Sequence, residues 1–272
     1  MPSNETGQNP RAATVAGRIV TALRTRARES MVSDVRIGLS YTAVKLENGS
    51  TGTALTLRDG AGCGCSVFNG LLPLAGCAAS DLLPRLLSGD PVETGVGLAC
   101  ANALCNCPSE RLQGGDILDC LDLRPDDHVG MVGYFAPLEE GVRRRVGRLT
   151  IFERIKEPND FLRPAEEAEE VLPECQVAMI TATTIINHSL DDLLNAARAC
   201  REVVVLGAST PLLPEAFDST PVTLLSGIVV SEADSILRIV SEGGGMRLFK
   251  PHILKVNLPL AEGQPQAARI SK

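Results

Sequence analysis

The sequence predicts an α/β protein with an N-terminal α+β half and a C-terminal half built on a parallel sheet, and three observations point there. Early in the chain, short alternating apolar runs are broken by Asn48-Gly49, a strong hairpin signal. From His128 onward, short continuous apolar runs alternate with helical or turn segments, as strands covered on both faces require. The length of 272 residues, with 44% hydrophobic and 22% charged residues, supplies enough apolar material for two domains.

After a loose polar start, Val15, Ile19, Ala22 and Leu23 form a helical stripe. Val35, Ile37 and Leu39, then Val44 and Leu46, then Thr53, Leu55 and Leu57 predict a three-stranded antiparallel meander. A Gly- and Cys-rich loop, Asp59 to Gly70, follows. Asp90-Pro91-Val92-Glu93 combines an N-cap acceptor, a proline at the first helical position and a capping-box glutamate, so a helix begins at Pro91 and ends before Pro108. Its small side chains should allow close packing on the meander.

In the second half, Val129–Gly133, Leu149–Phe152, Val177–Thr181, Val203–Gly207 and Val222–Leu225 read as parallel strands. Ser189 and Ser231, each with an acid three residues on, mark helix starts, and the stripes Leu190, Leu193, Leu194, Ala197 and Ala233, Ile236, Leu237, Val240 suit helices laid on a sheet. The expected division is an α+β domain over 12–124 and a parallel α/β domain over 125–260, with tails at 1–11 and 261–272. The sheet should be doubly wound, with the ends of the strands at Gly133, Thr181 and Gly207 facing one cleft.

A formal charge of −7, without a basic stripe interleaved with aromatics, argues against a nucleic-acid partner. Arg143, Arg144, Arg145 and Arg148 form one basic run, best read as solvating a turn. No apolar run reaches the length of a membrane span, and the polar start lacks a signal-peptide core, so the expected location is the cytoplasm. Nine cysteines in a chain of this size suit reduced thiols rather than a disulfide framework.

Ligands of open parallel sheets bind at the carboxyl ends of the strands, where unpaired backbone N–H groups are available. The candidate binding residues are therefore Gly133, Tyr134 and Phe135; Thr181, Thr183, Thr184 and Asn187; Gly207, Ser209 and Thr210; and Gly227. Glu153 lies twenty positions after Gly133, where a dinucleotide site places its hydroxyl acceptor, but the glycine-rich phosphate loop is missing. Pro211 after Ser209-Thr210 suggests either a helix start or a ligand-holding loop. Cys63-Gly64-Cys65 and Cys105-Asn106-Cys107 are the thiol pairs that could ligate a soft metal. Cys100 and Cys107 fall on an apolar stripe, which leaves Cys63 and Cys65 as the candidate metal ligands. Of the histidines, only His188 lies near the proposed site. No nucleophile elbow, P-loop or zinc-protease motif is present.

Gly133-Tyr134-Phe135, Leu172-Pro173-Glu174-Cys175 leading into Ile180-Thr181, and Gly207-Ala208-Ser209-Thr210-Pro211-Leu212 resemble the prokaryotic "putative heavy-metal chelation" family. The resemblance extends through Gly97-Leu98-Ala99 and covers about Met31 to Phe249. It implies an enolase N-terminal-like domain, a Rossmann-like domain and a site in the cleft between them. The family pattern does not require cysteine at Cys105 and Cys107.

Two functions follow as expectations. One is binding of a metal ion, divalent or heavy, or of a metal-containing small ligand, in the cleft by strand-end hydroxyls, backbone amides and Glu153. The other is an enzyme whose Rossmann-like domain binds an organic cofactor or a nucleotide-like substrate, with Glu153 accepting hydroxyls and His188 moving a proton. A homo-oligomer is compatible with either.

Overall fold

In the computed structural model, which describes residues 13–58, 73–155 and 161–260, helix α1 (Val15–Arg28) starts where Thr14 Oγ1 accepts from Gly17 N at 3.2 Å. Its buried stripe is Val15, Ile19, Leu23 and Ala27; Ala22 faces solvent. Strands β1 (Val32–Ile37), β2 (Tyr41–Leu46) and β3 (Thr51–Leu55) form the expected antiparallel meander in the order β1-β2-β3. Gly49 turns the second hairpin at φ +88°, a backbone state glycine adopts freely. Leu39 lies outside the strand, 65% exposed in the first turn.

Helix α2 (Ala79–Leu82) and a tight turn over Leu83–Leu87 lead to helix α3 (Pro91–Cys105). Asp90 caps α3 as expected, its carboxylate accepting from Val92 N and Glu93 N at 2.8 and 3.1 Å. The capping box does not close. Glu93 bonds Arg85 and Ser88 Oγ instead, and Asp90 N turns to Ser88 Oγ. Every residue of α3 from Thr94 to Leu104 is buried, so the helix is central to the fold rather than amphipathic.

The second half carries β4 (Gln113–Gly114), β5 (His128–Val132), α4 (Ala136–Arg143), β6 (Arg148–Glu153), β7 (Arg163–Pro164), α5 (Ala168–Val171), β8 (Val177–Thr181), α6 (Leu190–Ala196), β9 (Glu202–Leu206), β10 (Leu224–Val230), α7 (Ala233–Ser241), α8 (Met246–Phe249) and β11 (Ile253–Pro259). The sheet runs β4-β11-β10-β9-β8-β5-β6-β7, and β10, β9, β8, β5, β6 and β7 are parallel throughout. The fold is mixed α/β with a large, mostly parallel sheet. Strand β11 adds an antiparallel edge to β10, which sequence reading did not anticipate.

Two helix starts differ from expectation. Ser189 precedes α6 but makes no side-chain cap; its hydroxyl donates to Asn187 Oδ1 at 2.8 Å. Helix α7 begins at Ala233 after Glu232, not at Ser231, yet buries the predicted Ile236, Leu237 and Val240. The basic run is solvated, with Arg143 and Arg144 paired to Glu139 and Glu140 one turn back.

One face of the sheet, with Val132, Phe152, Ile180, Val203 and Val205, joins α1, α3 and α6 in a single apolar cluster. The other face, with Met131, Ile151, Met179 and Val204, packs on Val142 of α4 and on Ile117 and Leu118. Burial on both faces explains the unbroken apolar strands. The two halves of the chain therefore share a core, and β4, from the first side of the expected boundary, pairs with β11.

At the opposite edge from the strand ends, Asp127, 2% exposed at its side chain, accepts from Arg201 at 3.0 and 2.8 Å and from Arg124 N at 2.8 Å. Burial alone would push its carboxyl up, but these bonds outweigh it and hold the group below the usual aspartate value. A depressed folded-state pKa stabilises the fold above the unfolded value, near 4, and that stabilisation fades as pH falls through the folded value. Asp127→Asn is expected to cost about 2–4 kcal/mol between pH 5 and 8, narrowing only below about pH 4. Urea titrations across that range check it; a penalty that instead shrinks above pH 6 contradicts it.

Candidate functional site

From β5 the chain moves to β6 and β7 on one side, then returns to β8 on the other. The loops leaving the adjacent parallel strands β5 and β8 therefore diverge, and a crevice opens between their carboxyl ends. A cleft of about 220 Å³ lies there, with Val132, Phe152 and Leu193 contributing apolar wall and Gly133, Glu153, Arg154, Glu166, Glu169, Thr181, Thr183, Thr184, Asn187 and Ser189 its polar lining.

Gly133 is required at the wall twice over. Its φ is +88°, and a Cβ there would lie 2.8 Å from Thr181 Cγ2. The turn it permits sends Tyr134 N to Glu153 Oε2 at 2.8 Å, while Glu153 Oε1 accepts from Arg154 N at 2.8 Å. The carboxylate at the end of β6 is thus fixed by two backbone amides, with lone pairs left for a ligand.

At the end of β8 the threonines hold one another. Thr181 Oγ1 lies 3.1 Å from Thr183 Oγ1, and Thr184 Oγ1 donates to Thr181 O at 2.6 Å. Asn187 Oδ1 accepts from Ser189 N and Oγ. His188 has a left-handed backbone, φ +61°, and its Nε2 donates to Ser88 O at 2.8 Å, tying this loop to the first half of the chain. Its ring is not among the groups lining the cleft.

The structure thus gathers Gly133, Glu153, Thr181, Thr183, Thr184 and Asn187 of the predicted set around one cleft. Tyr134 stands beside it, its ring packed edge-on against Phe161 with centroids 5.4 Å apart and its hydroxyl donating to Glu139. Phe135 packs into the core under α4 and faces Gly207, whose own φ is +117°. Ser209, Thr210 and Gly227 sit elsewhere, in the seam between the halves. Ser209 Oγ accepts from Leu55 N at 2.9 Å, Thr210 is fully buried, and a Cβ at Gly227 would touch Leu212 and Thr210 O. Cys63 and Cys65 lie outside the described residues.

Sequence reading missed Arg154, Glu166, Glu169 and Ser189. The glutamates belong to the acidic stretch 166–170, which looks like a solvated helix in sequence. Its position on the chain's return across the sheet, the connection that creates the switch point, is the signal that could have found them. They change the chemistry of the cleft: three glutamates and one arginine line it, so its net charge favours ligands that donate hydrogen bonds or carry positive charge and opposes phosphates.

The donors offered are oxygens. Among the described residues no group of three or more His, Cys, Asp or Glu side chains is arranged to hold a metal ion, and no cysteine lines the cleft. The described cysteines are free thiols. Burial pushes Cys100 and Cys175 up to about 12 and Cys200 to about 11, which keeps them protonated where a soft divalent ion needs thiolates. A thiolate-ligated heavy metal does not fit this cleft.

A family model described as "Putative heavy-metal chelation" (DUF364) matches residues 116–259, and a second with the same description (DUF4213) matches residues 20–105. An uncharacterized protein of Methanocaldococcus jannaschii is 26% identical over 168 residues, 60% of this chain; the match spans 64% of that relative's length. A crystal structure of a DUF364-family protein of unknown function from Pyrococcus horikoshii covers 90% of this chain and 100% of its own, with a TM-score of 0.80 at 21% identity. Another from Desulfitobacterium hafniense covers 90% and 97%, with a TM-score of 0.74 at 23% identity. These likenesses show the fold. With the first model spanning more than half of its length, and the second most of the remainder, this chain belongs to the DUF364 family described as "Putative heavy-metal chelation".

Proposed function

We propose that this chain binds a small cationic or hydrogen-bond-donating ligand in the switch-point cleft, and that a metal ion enters there as part of such a ligand, already carrying donors of its own. The observation that supports this reading best is the coincidence of a topological switch point with an oxygen-lined, carboxylate-rich cleft. The amide-fixed Glu153 would accept from the ligand, the Thr181, Thr183 and Thr184 hydroxyls would orient it, and Glu166 and Glu169 would supply negative charge. The family description agrees with a metal-bearing cargo, and the lack of a preformed three-ligand set among the described residues agrees with a metal whose coordination sphere is mostly filled before it arrives.

A second reading is kept by one observation: Glu153 ends the strand beside β5, where a dinucleotide enzyme would hold ribose hydroxyls. The cleft's net negative lining and the lack of further glycine in the turn after Gly133, which is filled by Tyr134 and Phe135, weigh against its phosphates.

Elemental analysis of anaerobically purified protein, with mass spectrometry of molecules released on denaturation, identifies any native cargo. Calorimetric titration with nickel(II), the nickel(II)–ethylenediamine complex and a nicotinamide dinucleotide separates the readings. The cationic complex is expected to bind more tightly than the bare ion, with Glu153→Gln weakening it about five- to hundred-fold, the value of one lost charge-assisted bond of ~1–3 kcal/mol. Binding of the dinucleotide alone, sensitive to Glu153→Gln, would establish the second reading. Binding indifferent to Glu153→Gln in a folded protein removes the cleft from both.

A further inference from the structure

The edge of the sheet away from the cleft holds a pair of thiols that the proposed function does not use. Strands β8 and β9 pair with a constant offset: Val177 faces Glu202 and Thr181 faces Leu206. Arg201 N donates to Gln176 O at 2.8 Å, which carries the pairing one step beyond the strand. Continued by one more residue, the same offset sets Cys175 beside Cys200, each two residues ahead of its strand, where the neighbouring strands run about 4.8 Å apart. Each cysteine leaves a short 3-10 turn in extended backbone, and the two turns pack on each other.

The sulfurs converge on one stretch of main chain. Cys175 Sγ lies 3.5 Å from Val171 O, and Cys200 Sγ lies 3.5 Å from Leu172 O, the same oxygen that accepts from Cys175 N at 3.0 Å. Cys175 is 2% exposed, beneath the point where a Cβ on Gly130 would meet its sulfur at 3.1 Å, while Cys200 is partly exposed. A small reagent thus reaches the pair from the Cys200 side. The β8 strand, five residues long, separates this pair from the cleft by about 17 Å.

We propose that Cys175 and Cys200 form a dithiol site for a trivalent arsenical or a similarly thiophilic centre, separate from the cleft. Two facts select that chemistry. Only two ligands converge, with no third His, Cys, Asp or Glu to complete a metal set among the described residues. Both thiols are also held protonated by burial, and the neighbouring Cys200 raises Cys175 further. Such a pair is a poor ligand for a divalent ion that must displace protons. It suits a centre that removes the protons itself. An arsine oxide condenses with two thiols: both S–H bonds break, two As–S bonds form, and the oxide oxygen leaves with both protons as water. Arsenic stays trivalent and no oxidant or reductant is needed.

The test uses the full chain, phenylarsine oxide and mass mapping. Trypsin releases Cys175 in a peptide ending at Arg198 and Cys200 in the peptide Ala199–Arg201. One arsenic joining those two peptides, formed on the folded protein and retained against excess monothiol, is the expected result. Cys200→Ser, checked for folding by thermal melt, should abolish the joined product and bind at that locus about 10²-fold more weakly, the loss of a second, linked contact. Cys120→Ser should leave it unchanged. Arsenic found only on other cysteines, or a joined product that forms only after unfolding, overturns the proposal. Because the wild-type map is decisive by itself, a Cys175→Ser protein that fails to fold does not blunt the test.

Discussion

Replacing Asn106 with alanine is expected to destabilise the protein by about 3–5 kcal/mol while leaving the chemistry of the cleft untouched. Asn106 ends α3, is only 6% exposed, and fastens the first half of the chain to the loop after β9. Its Nδ2 donates to Thr210 O at 2.9 Å and Ile228 O at 3.3 Å, and its Oδ1 accepts from Leu212 N at 2.8 Å. Alanine would strand at least Leu212 N and Thr210 O without water, at about 1–3 kcal/mol for each orphan, and leave a void as well. Asn106→Asp should be no remedy, since it keeps the acceptor but sets a buried carboxylate against two carbonyl oxygens. Urea denaturation of both variants is the measurement. A loss below about 1 kcal/mol for the alanine variant would mean that water reaches the seam and replaces these bonds.

How much of this was legible beforehand follows from the range of each interaction. Local signals read well: the Asn48-Gly49 turn, the Asp90-Pro91 helix start and the unbroken apolar runs at Val177 and Val203 all lie within a few residues of the feature they specify. Capping partners read less well. Glu93 and Ser189 have the spacing of a capping box, but Arg85, Ser88 and Asn187 offered closer partners that only the folded chain brings near. Strand β11 was invisible because a strand with Leu254 and Lys255 exposed has no continuous apolar run. In the cleft, residues from the ends of β5 and β8 could be named from strand position alone, since all parallel strands end on one edge, and Glu153 at the end of β6 from its spacing of twenty positions after Gly133. The choice among the strand ends could not. It depends on strand order, and placing the crossover between β5 and β8 puts Thr181 and Glu153 at the crevice while Ser209 and Thr210 go to the seam. Asn102 and Asn106 were passed over for the same reason: a buried asparagine in an alanine-rich helix looks like a weak helix former until the loop it binds, a hundred residues on, is in place.

Gly52→Ala is expected to cost about 3 kcal/mol or more, although it adds a single methyl group to a strand. A Cβ on Gly52 would lie 2.1 Å from Ala103 N, 2.3 Å from Ala99 O and 2.5 Å from Asn102 C, all main-chain atoms of α3 that no rotamer change can move. The helix cannot retreat either. On another side it meets the turn at Leu83–Leu87, where a Cβ on Gly97 would lie 2.2 Å from Leu86 N. Strand β3, helix α3 and that turn are thus stacked at glycine contact distance, which is why the small side chains of α3 matter more than any stripe. Gly49→Ala is the control. It has nothing within 4 Å and meets only its positive φ, which costs about 1–2 kcal/mol. Thermal and urea unfolding of both variants compare the two effects, and equal losses would refute the clamp. Moving α3 also shifts Asn102 and Asn106, whose amides hold Ser209 O and Thr210 O. Gly52→Ala and Asn106→Ala should therefore be non-additive by more than about 0.5 kcal/mol, the combined loss falling short of the sum because the first change already loosens the bonds that the second removes.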